Sequence, residues 1–202
     1  MKHRIKQYPL EQGALEIEFI EEFFGEFDRK KRAAEIIKRL EDRSHLILIA
    51  EAPLPQDASQ MAPVSFKVGH EIFQHEKEPA LADLVKRLDG HVNFYGRRVL
   101  YSWIGGTRRD WRGQGHFRAL TEQQEVWAVG HGFHEVVVKT KNKFYEMRGT
   151  LTQLSFDVIK YERDPVDNQE SKVYLSKQLG PNLLKDHRSE KSVVEAVPEA
   201  KD

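Results

Sequence analysis

Tyr101-Ser102-Trp103-Ile104-Gly105-Gly106-Thr107-Arg108-Arg109-Asp110-Trp111-Arg112-Gly113-Gln114-Gly115-His116 is the stretch on which this sequence turns. An aromatic and apolar strand, expected over 98–106, runs into a short turn, a basic glycine-rich loop and the start of a helix. That order places backbone N–H groups and a helix N-terminus at the end of a strand, where an anionic phosphate can be held. Gly105 and Gly106 permit a bulge or the close approach of a ligand.

Downstream, Phe117, Leu120, Gln124, Trp127, Ala128 and His131 fall on one helical face, and Gly130 and Gly132 close that helix. Glu135 to Lys139 reads as the next strand. Asn142 precedes a helix with Phe144, Met147, Leu151 and Leu154 on one stripe. Two strands follow, Phe156 to Tyr161 and Val173 to Leu179.

Upstream, Leu46 to Ala50 is a continuous apolar run typical of a strand buried on both faces. Pro53, Pro55, Asp57 and Ser59 mark a loop, and a second strand is expected around Pro63 to Val68. Two helices are expected before these. One spans 15–27, and a second, capped by Asp28, carries Ala33, Ile36, Ile37 and Leu40 at helical spacing. Residues 70–97 read as an insertion with a helix from Ala80 to Leu88, a usual place for substrate contacts. From Pro181 the chain is charged and glycine-free, the pattern of a flexible tail over 181–202. The expected organisation is one α/β domain over 1–180, with six or seven strands and four or five helices.

The 202 residues suffice for one substantial domain, and 32 basic residues balance 32 acidic ones. This balance argues against a nucleic-acid binder, which shows a net basic field. Cysteine is absent, which removes thiolate metal sites and any cysteinyl mechanism and fits a cytoplasmic protein. No apolar run approaches the roughly 20 residues that span a bilayer, so no membrane partner is expected. His70, His75 and His91 match no metal-ligand spacing, so no metal is expected.

Two nucleotide loops fail here. Nothing supplies Gly-x-x-x-x-Gly-Lys followed by Ser or Thr. The dinucleotide fingerprint needs a third glycine and an acid at the end of the next strand, where this chain has Phe117 and Lys139.

The segment resembles instead the acyl-CoA loop of the GNAT acetyltransferase superfamily: Arg or Gln, two residues, Gly, any residue, then Gly or Ala. Arg112-Gly113-Gln114-Gly115-His116-Phe117 fits five positions and departs at Phe117, where the family has a small residue. The strand ending in Lys139-Thr140-Lys141-Asn142 and the run Leu154-Ser155-Phe156, where relatives commonly have Gly-Phe, follow in order. The resemblance covers residues 45 to 161 and implies a mixed, mostly antiparallel sheet.

It further implies acetyl transfer from acetyl-CoA to an amine by direct attack in a ternary complex. The cofactor contacts it implies are Trp103, Ile104, Gly105 and Thr107 on the strand, Arg112, Gly113, Gln114, Gly115, His116 and Phe117 in the loop, and Asn142 on the pantetheine arm. Many relatives place a thiolate-protonating tyrosine four residues before the Gly-Phe pair. Here that position is Leu151, and Tyr145 on the same helix is the candidate substitute. Glu51, at the end of the first buried strand, and His70 or Glu71, after the second, are general-base candidates. The acceptor is a small-molecule or peptide amine, and the protein a monomer or homodimer. Two other functions fit the same residues: a non-catalytic acyl-CoA-binding or sensor module, and an interaction protein that has kept the fold without the cofactor.

Overall fold

The computed structural model describes residues 3–10, 19, 20, 22, 32–180 and 194–196. The chain forms two compact units, one of Met1–His70, Ile104–Gln124 and Ser189–Asp202, the other of Glu71–Trp103 and Glu125–Arg188.

In the first unit the strand order is β8-β1-β2-β3-β4. Strand β1 (Arg4–Tyr8) pairs antiparallel with β2 (His45–Leu54) and parallel with β8 (Val194–Ala196). Leu46 through Ala50 of β2 are all buried, as a continuous apolar run requires when both faces of a strand are covered. Helix α1 (Ala33–Leu40) turns Ile36 and Leu40 inward. The expected first helix lies outside the described residues except for Phe19, Ile20 and Glu22, which are helical; Asp28 also lies outside them. The Phe19 ring meets Phe66 edge-on at 6.2 Å.

Strand β3 (Asp57–Ile72) is far longer than the expected strand around 63–68. The supposed loop over 53–59 is a tight hairpin in which Leu54 pairs with Asp57. Asp57 braces the new strand by accepting hydrogen bonds from the Ser59 amide at 3.0 Å and from Gln60 Nε2 at 2.9 Å. Pro63 is tolerated because the register slips there: Ala50 faces Ser65 while Glu51 faces Pro63, so Val64 is bulged. His70 and Glu71 are therefore buried members of β3 rather than residues beyond it.

In the second unit the order is β4-β5-β7-β6. Strand β4 (Val99–Thr107) lies parallel to β5 (Glu135–Lys141), Val99–Tyr101 pairing with Glu135–Val137. Strand β7 (Lys172–Gln178) is antiparallel to both β5 and β6 (Asp157–Glu162). The insertion supplies helix α2 (Pro79–Leu88), whose Leu81, Leu84, Val85 and Leu88 pack on Ile72, Val99, Tyr101, Val137 and Tyr174. Helix α3 (His116–Gly130) places Glu125 in this unit, where Lys177 Nζ donates to its carboxylate at 2.9 Å. Helix α4 (Tyr145–Gln153) buries Leu151, and Leu154 is buried just past its end. Phe144 is not part of that stripe. It precedes the helix, and its side chain is exposed.

The sheet is mixed and mostly antiparallel, as expected. Among the described residues seven strands form it, as expected, and the three-residue β8 is added beside β1. Four α-helices are formed among the described residues, none long and apolar enough to cross a membrane.

Candidate functional site

In the first unit, the end of β4 is held tightly against β3. A Cβ on Gly105 would come within 3.1 Å of the Phe66 carbonyl oxygen. Glycine suits that close backbone approach, in which a Cβ would press the Phe66 carbonyl back by a few tenths of an ångström, and is not there for a left-handed conformation. Ser65 Oγ donates to the Gly106 carbonyl at 2.8 Å and shares a 2.7 Å hydrogen bond with Thr107 Oγ1. The Arg108 amide donates to Val64 O at 2.9 Å, so the bulge that admits Pro63 also anchors the exit of β4.

A single 3-10 turn, Arg109–Trp111, follows, and the Arg112 amide closes it on Arg109 O at 3.3 Å. Gly113 (φ 74°) and Gly115 (φ 84°) then both adopt the left-handed region, where glycine carries no Cβ penalty. A Cβ at either would meet nothing within 4 Å, so conformation alone selects glycine at these two sites. The amides of Gly113, Gln114, Gly115, His116 and Phe117 make no backbone hydrogen bond among the described residues. The first at this end of α3 runs from Ala119 to Gly115 O at 3.0 Å. Five successive donors at a helix N-terminus, with Arg108, Arg109 and Arg112 exposed beside them, form an anion cradle. Arg112 also donates its Nε–H to Thr107 O at 3.2 Å, which fixes the loop to the strand it leaves.

Phe117 does not fill this cradle. Its ring packs under the ammonium of Lys67, 4.5 Å from the centroid, and Lys67 itself is buried on β3. His116 is 2% exposed, and neither ring nitrogen has a hydrogen-bond partner among the described residues. Its edge contacts are the rings of His3, 5.0 Å away, and Trp111, 6.2 Å away. Burial, and then the nearby His3, pull its pKa down to about 4, so this imidazole is neutral.

Glu51 lies on β2, where its carboxylate takes Arg4 at 2.8 Å, Lys6 at 3.2 Å and the Tyr8 hydroxyl at 3.0 Å. Burial pushes its pKa up, but Arg4, Lys6 and Tyr8 together outweigh that and hold it below the ordinary value. A carboxylate so stabilised is a weak proton acceptor. Its partners all lie on β1, which it fastens to β2.

Ile104 and His70 belong to the first unit, and Glu71, Trp103, Asn142 and Tyr145 to the second. Glu71 is gripped by the Arg98 fork, Nε at 2.9 Å and a terminal nitrogen at 2.6 Å. Trp103 packs at the edge of the apolar cluster under α2. Asn142 is buried with both ends of its carboxamide engaged: Nδ2 donates to Asn168 O at 3.1 Å, and Oδ1 accepts from Arg148. Its amide donates to Ser171 O at 2.8 Å. Asn142 thus ties the start of α4 to the segment entering β7. Tyr145 is exposed on the first turn of α4, its hydroxyl unpartnered among the described residues. Leu151 is fully buried. The sequence marked Ser155 as standing in a glycine position but not its conformation: it is the one non-glycine residue in the left-handed region among those described, at φ 63°. That conformation is the physical reason glycine suits the position after α4.

The insertion contributes an open cleft of about 730 Å³ lined by Gln74, His75, Lys77, Lys86, Asn93 and Tyr95 among others. Among the described residues no group of three or more His, Cys, Asp or Glu side chains is arranged to hold a metal ion.

No protein-family model matches the sequence, and no curated protein does. Solved structures do. Arabidopsis thaliana NAA60 in complex with acetyl-CoA matches 88% of this chain and 99% of its own, at 13% identity and a TM-score of 0.61. The ribosomal-protein-S18-alanine N-acetyltransferase of Escherichia coli matches 89% and 96%, at 12% identity and a TM-score of 0.58. The yncA putative acetyltransferase of Salmonella typhimurium, with its cofactor acetyl-CoA, matches 88% and 94%, at 13% identity and a TM-score of 0.59. The chain has the GNAT fold. Within that fold the left-handed glycine loop and its free amides sit between β4 and α3 in chain order, the place the sequence pattern assigns to the acyl-CoA loop.

Proposed function

We propose that the protein transfers an acetyl group from acetyl-CoA to an amine. The observation that carries this reading is the run of unengaged amides from Gly113 to Phe117, opened by two left-handed glycines at the mouth of α3, in a chain with the GNAT fold. That donor set matches a pyrophosphate: several N–H groups, a helix dipole and three arginines. The reaction joins the acceptor nitrogen to the acetyl carbon, breaks the C–S bond and releases the CoA thiol.

In this reading Gly113 through Phe117 hold the phosphates through their N–H groups, and the exposed arginines neutralise their charge. Trp103 and Ile104 on β4 orient the acyl arm. Positioning of this kind is the main contribution open to a site without a covalent nucleophile. Tyr145 is the residue to which we assign the proton delivered to the leaving thiolate, since its hydroxyl is exposed and uncommitted and Leu151 has no proton to give.

The non-catalytic reading is favoured by one observation, the saturation of Glu51 by Arg4, Lys6 and Tyr8, which leaves it a weak proton acceptor, while the Glu71 carboxylate is already engaged by the Arg98 fork. Calorimetric titration with CoA and thiol release from acetyl-CoA with a panel of amines separate the two. Micromolar CoA binding with amine-dependent release is the expected result, and Tyr145→Phe should lower kcat by about a hundredfold without changing CoA affinity. Binding without release across the panel supports the sensor. No binding at millimolar CoA sinks both.

A further inference from the structure

The second unit holds a group of charges that the reading above leaves unused. Val137 and Tyr174 belong to the apolar cluster under α2, and Lys139, two residues on from Val137, emerges on the same face of β5. Lys139 and Tyr174 are cross-strand partners, and the Lys139 ammonium lies 5.9 Å from the Tyr174 ring centroid. Around them stand Asp83 and Arg87 of α2, Glu162 of β6 and Lys172 of β7, with Lys160 reaching Glu162 from the same strand.

The two carboxylates in this group are already committed. Asp83 accepts from Arg87 Nε at 2.7 Å. Glu162 accepts from Arg87 at 2.7 Å and from the Tyr174 hydroxyl at 3.1 Å, with Lys160 and Lys172 at 3.7 and 4.0 Å. Lys139 alone of the four cations has no hydrogen bond or ion pair among the described residues. Two anions against four cations leave a local positive excess beside a half-buried ammonium. Burial first, and Lys172 next, lower the pKa of Lys139 against the opposing pull of Asp83 and Glu162, so its charged form is costly as it stands and gains from a further anion brought to it.

Position gives the excess a purpose. Pairing of β4 with β5 covers Val99–Tyr101 and Glu135–Val137, and two residues beyond the last pair on each strand are Trp103 and Lys139. Trp103 is the strand residue assigned above to the acyl arm, and it packs on the same apolar cluster as Val137 and Tyr174.

We propose that Lys139 anchors an anionic group on the acetyl acceptor, so that the substrate is an amine bearing a carboxylate and not a polyamine or basic peptide. This rests on the acetyltransferase reading and narrows its substrate class. The carboxylate belongs either to a free amino acid or to an acidic residue next to a peptide N-terminus.

Two matched pairs test it by calorimetry on the full chain: 4-aminobutyrate against 4-aminobutanamide, and the peptide amides Asp-Ala-Ala-Ala and Asn-Ala-Ala-Ala. The acidic member of one pair should bind at least about tenfold more tightly. The pair that shows the preference identifies the source of the carboxylate. Lys139→Met should abolish the preference and Lys139→Arg should keep it. If the methionine variant fails to fold, NMR of the lysine ammonium in the unaltered protein replaces it, with the Lys139 signal moving on addition of the acidic member and not of its amide. Equal affinities within both pairs, a preference that survives Lys139→Met, or an unmoved Lys139 signal overturns the proposal. A parallel CoA titration separates this failure from failure of the acetyltransferase reading: CoA binding without acid preference removes only the Lys139 assignment.

Discussion

Replacing His116 by leucine should remove a pH-dependent share of the protein's stability. The imidazole is 2% exposed, and its pKa falls from 6.5 to about 4 on folding. Between those values the unfolded chain holds the proton more readily than the folded one. His116 therefore contributes its full share above the upper value, and that share is lost as pH drops towards the lower one. At about 1.4 kcal/mol per pKa unit, the whole effect is at most about 3.5 kcal/mol, with about 2 kcal/mol of it between pH 7 and pH 5. For a chain of this size that corresponds to roughly 4–8 °C in Tm. The assay is urea unfolding of the unaltered protein and His116→Leu at both pH values. His3, whose ring lies 5.0 Å away, stays in both proteins. The unaltered protein should lose about 2 kcal/mol more than the variant across the step. At pH 7 leucine should be tolerated, because it removes two buried nitrogens that lack partners among the described residues. Parallel pH profiles for the two proteins would refute the reasoning, since they would mean that the imidazole accepts its proton as easily folded as unfolded.

Two further outcomes are expected. Gly115→Ala should cost about 1–2 kcal/mol of stability in chemical denaturation, from its φ of 84° alone, and weaken CoA binding about tenfold by calorimetry as the loop relaxes away from the left-handed region. Lys177→Met should cost about 3–5 kcal/mol because its pair with Glu125 is buried at both ends, 5% and 1% exposed, and adding Glu125→Leu should recover most of that loss.

The fold was largely legible because its signals are local. Apolar runs gave β2 and β5, helical spacing gave α1 and α3, and the glycine loop fell where the left-handed glycines are found. The hairpin at residues 55–56 was not legible. Proline and serine look like loop-formers in one dimension, whereas Pro63 is tolerated by a bulge that depends on β2. The eighth strand was hidden for the same reason, since Val194–Ala196 becomes a strand only through β1. At the candidate site, composition supplied the carboxylates of Glu51 and Glu71 but not their partners. Arg4, Lys6 and Tyr8 lie more than forty residues from Glu51, and Arg98 lies 27 from Glu71. Ionisable side chains advertise chemistry in a sequence, and only folding decides which of them are already occupied.

Phe117 resting under Lys67 carries a last implication. The two positions act as one unit, a bulky ring at the loop and a buried cation fifty residues upstream in the chain to receive it. A loop pattern that scores each position separately counts the phenylalanine as an error and cannot credit the lysine. In other chains with this fold, an aromatic residue at that loop position is therefore best sought together with a cation on the neighbouring strand. The pair, rather than either residue, would then mark a branch in which the ring is drawn aside from the loop amides.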